Sequence, residues 1–158
     1  MPMNLKATVF CIMMLAACNF ASAQATAIIP NKAGFSIPRL FMDSCSSNVS
    51  LGKASLIVNP LTHAGKRYVG DYQLNVFPYF FKNEKGTLEL EAPDDSVHKL
   101  LGGIPVKFTG TATDNKKGKS KVITGTATPS THDKGSVTFS VQTDNGLMAF
   151  NTSYHFGK

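Results

Sequence analysis

From Ile104 to Phe156 the sequence is four runs of alternating residues separated by short turns, and this pattern leaves few folds open. The runs are Ile104 to Thr113, Lys121 to Thr128, Gly135 to Thr143 and Leu147 to Phe156. In the third, Val137, Phe139 and Val141 alternate with Thr138, Ser140 and Gln142; the fourth gathers Met148, Phe150, Tyr154 and Phe156 on one parity. Side chains of a strand point alternately to its two faces, so each run reads as a strand with one apolar face. Asp144-Asn145-Gly146 is a strong hairpin signal, because Asn and Gly accept positive φ. The expected arrangement is an antiparallel meander.

The first two runs carry a repeat. Gly110-Thr111-Ala112-Thr113 returns as Gly125-Thr126-Ala127-Thr128, with a lysine-rich segment between. A hairpin accounts for it. With Gly110 opposite Gly125, Ala112 faces Ile123 and Phe108 faces Ala127, so each large residue meets a small one. Thr109, Thr111, Thr113, Thr124, Thr126 and Thr128 then fall on the opposite, solvent-facing side. The glycines allow close approach of another element or a bend.

Upstream the signals are shorter. Phe35, Ile37 and Phe41 give a weak first strand, placed at an edge by Pro38. Ser55 to Asn59 is a second strand, and Lys66 to Phe81 is one bent strand or two divided near Pro78. Asn83 to Gly86 reads as a turn into a strand from Thr87 to Glu91. One helix interrupts the pattern. Asp94 is placed as its N-cap, Val97, Leu100 and Leu101 share one face, and Gly102 supplies the stop. The fold expected over residues 34–158 is a single all-β domain: an antiparallel β-sandwich or flattened barrel of about seven to nine strands with one short helix.

The N-terminal part reads differently. Lys6 precedes an apolar run and an Ala21-Ser22-Ala23 site, the pattern of a secretory signal peptide over residues 1–23. Residues 24–33 then form a flexible segment before the domain. Leu15-Ala16-Ala17-Cys18 resembles the lipobox of bacterial lipoproteins, and in that alternative Cys18 is lipidated and anchors the chain to a membrane. Cleavage after Ala23 leaves Cys45 as the lone cysteine, so no internal disulfide is available and the core must hold the fold. Without Lys6, 15 of the 16 Lys and Arg remain against 10 Asp and Glu, a net charge of +5. That modest excess favours anionic surfaces without naming one.

Chemical motifs are sparse. His63, His98, His132 and His155 lack metal-ligand spacing, and Glu89, Glu91, Asp94 and Asp95 lack the spacing of a calcium loop. No nucleophile elbow or phosphate loop occurs, so the expectation is a non-enzymatic protein without metal or other cofactor. Phe77, Tyr79 and Phe81 lie in the densest aromatic stretch and are the candidates for contact with a small apolar ligand. Lys116, Lys117, Lys119 and Lys121 are the candidates for contact with an anionic envelope component. These features point to an exported, periplasmic or secreted binding module for an apolar or envelope-derived ligand, with no nucleic acid as partner. The alternative is a structural or accessory envelope protein that acts through protein contacts.

Overall fold

The computed structural model describes residues 37–49, 52–144 and 146–157. Ten strands account for most of them: β1 (Arg39–Met42), β2 (Cys45–Val49), β3 (Gly52–Val58), β4 (Thr62–Ala64), β5 (Arg67–Phe77), β6 (Glu84–Glu91), β7 (Val106–Asp114), β8 (Ser120–Pro129), β9 (Lys134–Thr143) and β10 (Gly146–Gly157). All pair antiparallel in one sheet ordered β1-β10-β9-β8-β7-β6-β5-β3-β2, with β4 added against β5. The all-β expectation holds, and of its two forms the flattened barrel is the nearer one, a curled half-barrel.

The curl is tied at its seam by one bent run of chain. β1 pairs with β10 at one end of the sheet, and β2, two residues later, pairs with β3 at the other. Leu40 also exchanges two backbone hydrogen bonds with Leu61, which leads into β4. The backbone N–H of Asp43 donates to Ser153 at the bend. The outer edges of the sheet are thereby brought onto one another, which lowers the hazard of unpaired edges.

Alternation decides what lies inside. Leu56, Tyr72, Leu74, Leu88, Leu90, Ala112, Ile123, Phe139, Phe150 and Tyr154 are buried and form one apolar cluster with their neighbours. Thr109, Thr111, Thr124, Thr128, Ser136 and Thr138, at the alternate positions of β7 to β9, are exposed. Phe139 stacks on Phe150 with ring centroids 5.4 Å apart, joining β9 to β10.

The repeated hairpin forms, with its register shifted by two residues from the glycine-to-glycine pairing. Gly110 lies opposite Ile123, Phe108 opposite Gly125, and Ala112 opposite Lys121. A two-residue slip preserves every side chain's face, so the inward set is the expected one. The reason lies in packing. A Cβ on Gly125 would stand 2.6 Å from Phe108 Cζ and 2.7 Å from Phe139 Cβ. Phe108 therefore lies over the glycine directly across from it, where a side chain would collide with the ring.

Three other expectations need correction. Asn83 to Gly86 is not a turn: β6 begins at Glu84, and Gly86 pairs with Tyr72 and Asp114 on either side. Strand β5 ends at Phe77, followed by a cis Phe77–Pro78 bond and a 3-10 turn over Phe80–Lys82, so Phe77 to Phe81 do not alternate as a strand. The helix α1 (Asp94–Leu101) is capped by Pro93, not Asp94. Pro93 has φ −58° and ψ 150°, the half-in geometry of a cap, which makes Asp94 the first helical residue. Asp94 Oδ1 lies 4.0 Å from His63 Nε2, and both Asp94 and Asp95 sit in the first turn, where the helix dipole favours negative charge. Gly102 is the C-terminal cap, and Gly103 follows at φ 83°, a conformation that glycine adopts without steric cost.

Candidate functional site

In an up-and-down sheet every second connection falls at the same end. The segments 78–83 and 115–119 and the turn at Asp144 lie at one end, which we call the loop end. Helix α1 and the 130–133 turn lie at the other. There Val97 turns inward and is 1% exposed, so α1 covers that end of the interior.

Between the two ends lie two small apolar cavities of about 40 and 50 Å³. Met42, Leu90 and Phe108 line both. The cavity nearer the helix is roofed by Val97 and Leu100. The other reaches the loop end and is lined by Ala112, Ile123, Met148 and Phe150 together with Tyr72, Glu84 and Lys121. A cavity of this size admits a few waters' worth of volume. Met42 and Met148 are only partly buried, and their unbranched side chains can rearrange where space is demanded.

The polar residues at the loop end are arranged inside the barrel wall. Lys121 Nζ donates to both Glu84 oxygens, at 2.6 and 2.5 Å. Tyr72 Oη donates to Glu84 Oε1 at 3.0 Å. Asp114, buried at the end of β7, accepts from the backbone N–H of Lys116 at 2.8 Å and so fixes the start of the lysine loop. Burial, followed by the negative charge of Glu84, pushes the Tyr72 hydroxyl well above its ordinary range. The result is a closed ion pair and hydrogen-bond group at the rim of an otherwise apolar interior.

The residues singled out in the sequence fall in different places. Phe77 and Phe81 are exposed, at 63% and 78%, on the outside of the loop end. Tyr79 is half-buried, packs against the core and meets Phe81 edge-on. The aromatic turn is closed by Asn83, whose side-chain oxygen accepts from the backbone N–H of Val76 at 2.7 Å. Lys116, Lys117 and Lys119 are exposed on the neighbouring loop, with Lys119 3.8 Å from Asp144. Lys121 turns inward to Glu84 and stands apart from them. Cys18 lies outside the described residues. Among the described residues no three His, Cys, Asp or Glu side chains gather as metal ligands.

Sequence reasoning passed over Tyr72 and Glu84. A signal was present: Glu84 has the same parity as Leu88 and Leu90, so a strand extended back to it points its carboxylate inward. Reading 83–86 as a turn hid that parity. The interior contributors Met42 and Phe108 come from strands distant in sequence, and only the curl brings them together.

What these features define is an all-β module with a lined interior, helix-covered at one end and polar at the other. Compared with known proteins, the chain matches no family model, no curated protein and no solved structure.

Proposed function

We propose that the protein is an exported, non-enzymatic binding module that holds a small single-chain apolar ligand inside the half-barrel. The observation that carries this reading is the pair of apolar cavities in one interior whose walls share Met42, Leu90 and Phe108. Movement of the Met42 side chain and the Phe108 ring would join them into one channel along the interior. A slender hydrocarbon fits such a channel better than a broad ring system. The Tyr72–Glu84–Lys121 group at the loop end would meet a neutral polar head, since a charged one would have to compete with an ion pair already made. Apolar contact then supplies affinity, and the polar group fixes which end of the ligand enters first.

The test uses a fluorescent single-chain probe, cis-parinaric acid methyl ester, titrated into the purified protein. Saturable binding with one site is expected. Ala112 is buried and lines the cavity, so Ala112→Phe fills it and should abolish the signal while the far-ultraviolet circular dichroism stays β-rich. Met148→Phe, at a half-buried position, gives the same readout should Ala112→Phe not fold. No saturable binding by the unaltered protein, or equal binding by a folded filled variant, would overturn the reading.

A further inference from the structure

The loop end carries a second feature that ligand binding inside the barrel does not use. Seven large apolar side chains are exposed among the described residues, and four of them, Phe77, Phe80, Phe81 and Leu147, lie at this end. Phe77 and Phe80 touch edge-on at 5.7 Å, while Phe81 projects from the same turn. Leu147, 70% exposed, stands in β10 just past the turn at Asp144. Of the other three, Val122 lies in β8 three residues past the lysine loop, while Ile57 lies in β3 and Ile104 just after α1.

Charge is sorted along the same axis. Lys82, Lys116, Lys117 and Lys119 face solvent on the two loops that carry or adjoin the aromatics. Lys82 Nζ lies over the Tyr79 ring, 5.5 Å from its centroid. The acids near these loops are mostly engaged elsewhere: Glu84 is turned inward to Lys121, and Asp114 is buried under the lysine loop. Among the described residues of these loops, Asp144 is the acid that faces out, beside Lys119. At the helix end, by contrast, Asp94, Asp95 and Asp133 mix with Lys66, Lys99 and Lys134. The two ends of the barrel therefore differ in kind, not only in degree.

Exposed phenylalanines interleaved with lysines on the tips of neighbouring loops match an anionic bilayer surface. The rings enter the headgroup and upper acyl layer, and the flexible lysines reach back to the phosphates. We infer that the loop end is a docking surface for an anionic phospholipid membrane, seating the protein with its barrel axis pointing into the bilayer. This docking needs neither a lipid on Cys18 nor an occupied interior. It would place the polar rim of the cavity against the lipid from which a hydrocarbon ligand could be drawn.

The protein lacks tryptophan, so a single one reports its own surroundings. Phe81→Trp sits at the loop end, and Ile104→Trp, also at an exposed position, sits just after α1. Both are mixed with vesicles of phosphatidylglycerol and phosphatidylcholine, and with vesicles of phosphatidylcholine alone. A blue shift and quenching by brominated acyl chains are expected for Phe81→Trp on the anionic vesicles, with neither for Ile104→Trp. A lysine near an anionic surface contributes about fivefold to partitioning. Replacing Lys116, Lys117 and Lys119 by serine in the Phe81→Trp background should then weaken it roughly a hundredfold. Added salt should weaken it too.

Absence of the Phe81→Trp shift overturns the inference, as does an equal shift for Ile104→Trp. Equal partition onto neutral vesicles overturns its anionic part. Preferential binding to a single-stranded oligonucleotide would assign the surface to nucleic acid instead. The parinaric probe reads the interior separately, so either proposal can fail while the other stands.

Discussion

Replacing Lys121 by methionine keeps most of the side chain's length and removes its charge from the rim of the cavity. Glu84 then loses both contacts from Lys121 Nζ and keeps the Tyr72 hydroxyl at 3.0 Å. The side chains of Lys121 and Glu84 are 23% and 9% exposed, so the pair is neither a free surface pair nor a sealed one. Exposed pairs contribute about 0.2–1 kcal/mol, whereas stranding one partner of a buried pair costs about 3–5 kcal/mol. Between those limits, and nearer the middle because Lys121 still reaches water, Lys121→Met should cost about 2 kcal/mol. The measurement is urea unfolding followed by circular dichroism, with the slope unchanged and the midpoint lowered. The double variant Glu84→Gln with Lys121→Met removes both charges, keeps an acceptor for the Tyr72 hydroxyl, and should recover to within about 1 kcal/mol of the unaltered protein. A loss below about 0.5 kcal/mol for Lys121→Met, or a double variant as unstable as the two single losses added, would refute the account.

Three further outcomes follow from the same geometry. Gly125→Ala places a methyl 2.6 Å from Phe108 Cζ and 2.7 Å from Phe139 Cβ, and should lower stability by about 1–3 kcal/mol in the same urea assay. Phe139→Ala removes a buried ring stacked on Phe150 and should cost about 3–5 kcal/mol, read as a lower thermal midpoint. Burial raises the Cys45 thiol to about 11, so at pH 8 its alkylation by iodoacetamide, followed by peptide mass mapping, should run roughly a hundredfold slower than that of a free thiol.

The alkaline limb of stability can also be measured. Tyr68, Tyr72 and Tyr154 are all shifted upward, chiefly by burial, so the folded state holds their protons more tightly than the unfolded chain does. Their contribution is complete below pH about 10, the ordinary tyrosine value, and is lost as pH rises above it. The urea midpoint should fall above pH 10, and less steeply in Tyr72→Phe. An equal slope in that variant would refute the role of Tyr72.

Much of the wall was legible because alternation is a local property. Val137, Phe139 and Val141, or Phe150, Tyr154 and Phe156, declare one buried face without reference to any distant residue. The Gly110–Ala112 and Gly125–Ala127 segments announced a hairpin with threonines outward, and that face assignment survives the two-residue shift in pairing. Short pieces were harder. β2 and β4 carry weak apolar patterns, Cys-Ser-Ser-Asn-Val and Thr-His-Ala, and become strands because β3 and β5 offer them open edges. The aromatic stretch misled for a related reason. Its composition suits a strand running on to Phe81, whereas the chain leaves the sheet at Phe77 and turns.

An antiparallel sheet with one threonine-rich face, one apolar face and a short helix closing an interval in the meander is legible in the residue pattern alone. Those features follow from side-chain period, turn residues and helix spacing, all within reach of neighbouring residues. Contacts between distant strands alone settle that the sheet curls until β1 and β2 tie its ends, and that Met42 and Phe108 line both cavities. They alone set Glu84 against Lys121, 37 positions away, and brought the phenylalanine turn and the lysine loop to the same end. Pairing order and curvature are cooperative properties of the whole sheet. No local window of residues contains the contacts that fix them.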